Sequence, residues 1–389
     1  MTPDVVVVGG GLIGCLTARA AARDGWTVVL VERAAGLGSE SSSAAAGMLS
    51  PQMEAAEEIL VAGGADAGAG ARRFAMLELC LAGRERVPAL ARELEAETGR
   101  PTHYREDGTL VVALDEEEAG RLAARGAEQR ARGLRARWLE LAAARALEPG
   151  ITPRAAGALH LPDDHQIDNV ALLAAVEASI RSLPGIEVRT ATRVAGLAIE
   201  NGRVAGVRTE GGTLPAGAVV LAAGAWSSAV AGLPGRVEVR PVKGQMAALR
   251  PAAPPMGRIV GGRSVYCVPR DDGRIIVGAT VEEAGFDKRV DPRAVERLLA
   301  AAADVVPALA AAPLHASWAG LRPGTADDLP VLGPDPEVEG LLWATGHYRN
   351  GILLAPLTAE TIAALLRGEP PPVDLRAFAP DRPVEALEP

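Results

Sequence analysis

The chain has 389 residues, nearly half of them hydrophobic, with a net charge of −9 and lysine only at Lys243 and Lys288. That length and apolar content predict a sizeable core and two domains. The acidic balance, with no Lys/Arg block interleaved with aromatics, excludes a nucleic-acid interface, and no apolar stretch is long enough to predict a membrane span.

Residues 4–33 read as strand, glycine turn, helix and strand: DVVVV is a buried strand, LIGCLTARAAARDG a helix ending at Gly25, and TVVLVE a second buried strand. Residues 34–53 are small and polar, and the Ala/Gly-rich piece 61–71 reads as a loop. Helical patterning then runs to about 98. HYREDGTLVVAL predicts a hairpin turning at Asp107-Gly108, and the Arg/Glu-rich stretch 115–147 a further helical segment. Asp168 is placed to cap a helix over 169–182. Short strands follow, with turns at Asn201-Gly202 and Gly211-Gly212, up to the run AVVLAAGAW. Residues 236–281 predict a second antiparallel sheet turning at Asp272-Gly273, residues 291–306 a helix, and 316–350 loop and strand. The last helix carries the apolar stripe Ile352, Leu353, Leu354, Leu357, Ile362, Leu365 and Leu366, stopped by Gly368 and three prolines. This alternation predicts two interwoven domains.

Gly9-x-Gly11-x-x-Gly14 follows a strand, opens a helix, and has Glu32 at the end of the next strand, which is the context a dinucleotide fingerprint requires. Gly9 suits the tight turn, Gly11 the approach of a pyrophosphate to the helix N-terminus, and Gly14 close helix–strand packing. Glu32 suits a ribose 2′-OH and would repel a 2′-phosphate. The motif alone does not separate FAD from NAD. The stretch GLGSESSSAAAGMLSP does favour a flavin: Ser42, Ser43, Ala45, Ala46 and Gly47 leave room for a flat ring system and offer N–H and hydroxyl donors. AAGAW (222–226) fits a place where the chain passes the pyrophosphate, and equally a buried strand ending in a glycine turn. His347, Tyr348, Arg349 and Asn350 crowd four polar side chains at the mouth of the apolar last helix.

GGGLIG, SSSAAAGMLSP, RPVKGQ, YCVPR, WAGLRPGT and GHYRNGILLAP together resemble the D-amino-acid-oxidase family of FAD enzymes, in its glycine-oxidising branch of the thiamine pathway. The resemblance runs end to end, with 61–71 as an insertion. It implies an α/β (mixed α+β) fold, with a Rossmann-like FAD-binding domain of the glutathione-reductase type interleaved with an antiparallel-sheet substrate domain. The implied boundaries are 1–85, 148–230 and 316–389 for the FAD-binding domain, and 86–147 and 231–315 for the substrate domain. It further implies non-covalent FAD held by Gly9, Gly11, Leu12, Ile13, Gly14, Glu32, Arg33, Ser42, Ser43, Ala45, Ala46, Gly47, Met48, Val194, Ala223, Gly224, Trp226, His347, Tyr348, Arg349, Asn350, Gly351 and Ile352. The last helix would aim its N-terminus at the flavin pyrimidine edge, where the amides of Gly351 and Ile352 would stabilise negative charge.

The implied reaction is oxidation of glycine, and more weakly of sarcosine or small D-amino acids, to the imine. Oxygen would be the acceptor, and the imine would hydrolyse to glyoxylate and ammonia or feed thiazole formation. Arg322 in GLRPGT matches the family's carboxylate-binding arginine, Tyr266 its active-site tyrosine, and Met48 a pocket-lining position. Arg349 would reach the substrate or the flavin. A dehydrogenase of the same fold, acting on D-amino acids, proline or sarcosine with another acceptor, remains a second reading. Cys15, Cys80 and Cys267 are odd in number and lack CxxC or Cys/His spacing, so reduced thiols, no metal and a cytoplasmic protein are expected. The family favours homotetramers.

Overall fold

Val5–Val8 is buried on both faces, which is why a run of valines replaces any alternation. In the computed structural model, which describes residues 2–54, 67–235 and 237–383, it is a central strand of a six-stranded sheet. Ala218–Leu221 and Val28–Val31 flank it, then Leu341–Thr345 and Ile186–Arg189, all parallel, and Val331–Pro334 closes one edge antiparallel. Helices Leu12–Arg23 and Gly351–Leu366 pack against each other over one face, in a core shared with Asn169–Ser182 and Ala67–Thr98. A three-stranded antiparallel sheet, Val194–Glu200, Arg203–Thr209 and Gly212–Pro215, covers the other face.

The second body of the fold is an eight-stranded sheet in the order Leu314–Gly324, Arg240–Leu249, Ile275–Gly278, Tyr266–Pro269, Ile259–Gly261, Thr109–Ala113, Gly157–Leu161 and Arg137–Glu140. All neighbours are antiparallel except Ile259–Gly261 with Thr109–Ala113. Helix Pro292–Val305 buries Val295, Leu298 and Ala302 against one face, and helix Glu116–Ala131 packs over Thr109–Ala113 and Gly157–Leu161. By strand pairing, Gly157–Leu161 and Leu314–Gly324 go with this larger sheet. No described helix is long and apolar enough to cross a membrane.

Two expected elements differ. HYREDGTLVVAL does not form a hairpin. Thr109–Ala113 is buried throughout and takes partners on both edges from distant strands, whereas the polar arm before it makes one bridge, Arg105 to Gln166. The segment 115–147 is not continuously helical: helix Glu116–Ala131 ends before Gly133 (φ 80°), and strand Arg137–Glu140 separates it from helix Leu141–Leu147. Of the expected loop 61–71, residues 61–66 lie outside the described residues and 67–71 fall in helix Ala67–Thr98. The cap at Asp168 is present, its carboxylate accepting from Val170 and Ala171 N–H, and Gly273 takes the turn at φ 84°.

The C-terminal segment is tied down by Arg382, which forks onto Asp327 (2.8 and 2.9 Å) and donates to the Leu329 and Pro330 carbonyls. Both side chains are almost fully buried, at 5% and 3% exposure. Burial alone would raise the Asp327 pKa, but Arg382 outweighs it and holds the carboxyl below its usual range. Arg382→Ala strands that carboxylate and should lower the unfolding free energy by about 3–5 kcal/mol, read from urea denaturation. A variant with the parent's midpoint would show that the tether contributes nothing.

Candidate active site

Between the two sheets lies a cavity of about 1100 Å³. Its first end is the glycine turn. A Cβ at Gly9 (φ 113°) would stand 2.3 Å from the Ala222 carbonyl oxygen, and one at Gly14 1.9 Å from the Gly9 oxygen. Gly11 is different: a Cβ there would meet only Ser42 Oγ, at 3.3 Å, so its bareness keeps cavity space open. Leu12 N–H donates to Ser42 Oγ (3.0 Å), and Leu12 and Ile13 line the wall. Glu32 also lines the wall, while its two oxygens accept from Gly10 and Ala34 N–H, each at 2.7 Å. The acid thus holds the glycine turn in shape besides facing the cavity. Arg33 lies 3.5 Å over the Trp226 ring and pairs with Glu40, and Val194, Ala223 and Gly224 complete this end.

The middle of the cavity is walled by the segment from Ser41 to Met48. Its backbone is held from behind. Asn169 Nδ2 donates to the Ser42 and Ser43 carbonyls, Trp318 Nε1 to Ala44, and Arg270 to Ala46 and Ile167. Arg270 is 7% exposed and shares its fork with Asn169 Oδ1 (2.9 Å); Asp168 stands 3.5 Å away. Ala45, Ala46, Gly47 and Met48 line the cavity, as does Ser42. Ser43, Gly14 and Asn350 do not reach its wall; Ser43 Oγ turns back to the Glu40 carbonyl.

At the far end Tyr266, Arg322, Arg349 and Met48 share the cavity with Glu54, Met246 and Gly244. Arg322 Nη1 donates to the Thr280 carbonyl (3.0 Å) and has no acidic partner among the described residues. Burial pushes the Tyr266 phenol up to about 12, so it remains a donor; its hydroxyl lies 3.4 Å from Met246 Sδ. Arg349 Nη1 stands 3.5 Å from Glu54. Burial works against the Arg349 charge, but Glu54 and Tyr348 outweigh it and its pKa is raised. Tyr348 adopts φ 47°, uncommon for a residue with a side chain, and its N–H donates to the Pro323 carbonyl (3.1 Å). That bond fastens the start of helix Gly351–Leu366 to the strand carrying Arg322. Gly351 and Ile352 line the cavity, and the first intrahelical donor is Leu354 N–H, so the amides before it have no partner within the helix. His347 and Tyr348 also line the cavity, and the buried His347 ring bonds Thr358 Oγ1 through Nε2 at 2.9 Å.

The residues present fit a flavin dinucleotide. A glycine cradle that a Cβ would fill leads into a helix N-terminus, and a small-residue loop faces a long cavity ending at a second helix N-terminus. The supports from behind, Arg270, Asn169 and Trp318, are not singled out by sequence reasoning. Arg270 does stand inside YCVPR and Trp318 inside WAGLRPGT, so the motifs already contained them. Gly244 likewise stands in RPVKGQ. Glu54 had no such signal.

Comparison with known proteins agrees. The profile of the FAD dependent oxidoreductase (DAO) family matches residues 4–365. A glycine oxidase of Pseudomonas putida is 36% identical over 98% of this chain and 99% of its own length. A bifunctional ThiO/ThiG protein of Synechocystis is also 36% identical, over 98% of this chain and 54% of its own. The crystal structure of glycine oxidase from Geobacillus kaustophilus superposes with a TM-score of 0.88 at 35% identity, covering 99% of this chain and all of that one.

Burial lowers the His347 pKa from 6.5 to about 3. Between those values the unfolded chain binds a proton that the folded chain refuses. The stability this group supports is therefore complete above the unfolded value and falls as pH drops through the window. His347→Gln should shrink the loss of unfolding free energy between about pH 7 and about pH 5 by about 2 kcal/mol, measured by urea titration at both. An unchanged loss would mean that the imidazole protonates in the folded chain.

Proposed function

The chain belongs to the D-amino-acid-oxidase family of FAD-dependent oxidoreductases, and on that premise we propose that it oxidises glycine, with weaker action on sarcosine and small D-amino acids. It is an FAD-dependent amine oxidase; the choice of substrate is the reading argued here. The observation that carries it is the Arg322 guanidinium: it has no acidic partner among the described residues, it shares the cavity with the Tyr266 hydroxyl, and Gly351 and Ile352 line the same chamber.

Arg322 offers a planar fork to the substrate carboxylate. Tyr266, kept protonated by burial, donates a further hydrogen bond to it. Met48 and Met246 wall the remaining space with apolar surface, which suits a substrate with little or no side chain. Bound FAD would supply the two-electron acceptor for the hydride leaving Cα of the neutral amine. The substrate becomes an imine, which water converts to glyoxylate and ammonia, and oxygen accepts the two electrons as hydrogen peroxide. The open amides at the start of helix Gly351–Leu366 provide for negative charge at that end of the site. Glu32 orients the glycine turn and retains lone pairs for a ribose hydroxyl. No buried base needs to sit by the amine if it binds unprotonated.

The likeness to a bifunctional ThiO/ThiG protein supports use of the imine in thiazole formation for thiamine. We place the enzyme in the cytoplasm as a homotetramer. We divide it into an FAD-binding domain (1–85, 148–230, 316–389) and a substrate domain (86–147, 231–315), with the strands of 157–161 and 314–324 contributed across the boundary to the larger sheet.

An anaerobic titration of the yellow holoenzyme with glycine tests the reading. Bleaching of the flavin band is expected, and one peroxide per glycine once air is admitted. A band left unbleached would move the substrate to a larger or N-alkylated amine. Arg322→Ala should weaken glycine binding by about 2–5 kcal/mol with FAD retained, and an unchanged KM would remove Arg322 from the carboxylate role.

A further inference from the structure

Three glycines pave the sheet face beneath the substrate end of the cavity. Across four strands, Trp318, Met246, Gly278 and Tyr266 form one cross-strand row, and Gly320 faces Gly244 in the next. Opposite residues in antiparallel pairs, and residues two apart along a strand, share a face. Arg322 is therefore on this face too, two residues beyond Gly320, and Gly244, Gly278, Gly320, Met246, Tyr266 and Arg322 all line the cavity. Glycine within a strand weakens it, so three on one patch call for a reason. Backbone freedom is not that reason, because none of the three has a positive φ. Space is. A Cβ on Gly244 would lie 2.4 Å from both Nη atoms of Arg322 and 2.5 Å from its Cζ: the guanidinium rests flat on the peptide. A Cβ on Gly278 would lie 2.5 Å from the Tyr266 hydroxyl and 2.6 Å from Met246 Sδ. Gly320 instead admits Ala44 of the cofactor loop, whose Cβ would be 2.6 Å away.

We propose that Gly244 and Gly278 are specificity-determining positions, whose bare backbone sets the depth at which Arg322 and Tyr266 hold the substrate's carboxylate. This rests on the amino-acid oxidase reading of the pocket. The far end of the Arg322 side chain, held by the Thr280 and Lys243 carbonyls, yields more easily than the strand backbone, so a methyl group at 244 displaces the guanidinium toward the cavity and leaves the strand in place. A carboxylate bound to the raised fork sits higher, and Cα is carried off its reacting position. A small amino acid cannot compensate, having no further group to anchor it. Gly244 acts only through Arg322 and touches no reacting atom, which makes it a positioning residue.

The test uses the holoenzymes of the parent, Gly244→Ala, Gly278→Ala, Arg322→Ala and the double variant Gly244→Ala/Arg322→Ala. Each is titrated with acetate, a carboxylate without an oxidisable amine, read from perturbation of the flavin spectrum, and then reduced anaerobically with glycine. Gly244→Ala should keep its FAD and thermal transition and raise the acetate and glycine dissociation constants by about tenfold or more. On the Arg322→Ala background it should add nothing. Gly278→Ala should give a smaller rise through Tyr266. A parental acetate constant in Gly244→Ala overturns the proposal. So does the same loss on the Arg322→Ala background, or loss of flavin or fold, since either would make the glycine a structural one. If the parent binds acetate yet glycine leaves its flavin oxidised, the glycine reading falls, while the acetate constants still decide the role of the floor.

Discussion

Arg270 sends a buried guanidinium to a point where carbonyl groups converge, those of Ala46 and Ile167, with the Asn169 side chain alongside. A backbone segment can present its amides to a ligand only if its carbonyls are satisfied elsewhere. Here one cation and one amide side chain take the carbonyls of Ser42, Ser43 and Ala46 from behind. The front of the loop is thereby left to the cavity. The cost of burying the guanidinium is only partly offset by Asp168, 3.5 Å away, which also caps helix Asn169–Ser182; burial still lowers the Arg270 pKa. Cofactor loop, helix and strand Tyr266–Pro269 are in this way referred to one buried charge, and Tyr266 leaves the same strand four residues earlier.

The charges of the substrate end follow a simple division. Arg349 has Glu54, and Lys243 has Glu282 with the Arg289 carbonyl, so those cations are answered within the protein. Arg322 meets the Lys243 and Thr280 carbonyls and the Tyr266 side chain, with no acidic partner among the described residues. Tyr266 and His347 are neutral groups, one a donor kept protonated and the other a core residue bonded to Thr358. Arg322 therefore offers an incoming anion a positive charge that no acidic side chain answers among the described residues, and its position is set by backbone.

Much of the cofactor end was legible in the sequence because its constraints are local. Gly9, Gly11 and Gly14 sit within six residues and each answers a clash or a gap that neighbouring atoms create. The short parallel strands Val5–Val8 and Val28–Val31, buried at every position, carry their own signature. The segment 103–147 was harder, because strand Thr109–Ala113 takes both its partners from far away and no local pattern distinguishes that from a hairpin. His347 shows a related limit: it lines the cavity, but that its ring also bonds Thr358 inside the helix could not be read from its place at a helix mouth. Arg270 and Gly244 belong to the same class. What they do depends on which carbonyl or which guanidinium crosses them in space, and spacing along the chain does not say so.

The strand order of the parallel sheet also dictates a sequence of events in time. Val5–Val8 can pair with Val28–Val31 almost as soon as both have been made, but its other neighbour is Ala218–Leu221. At roughly 5–20 residues per second, that partner emerges on the order of tens of seconds later. Until then a strand of four valines has one bare edge, the kind of surface on which nascent chains pair with the wrong neighbour. The second helix N-terminus of the cavity, at Gly351, arrives later still. The two ends of the cavity thus come together only after Gly351 has been made, and the yield of folded protein in a cell should depend on how well that waiting edge is sheltered during synthesis.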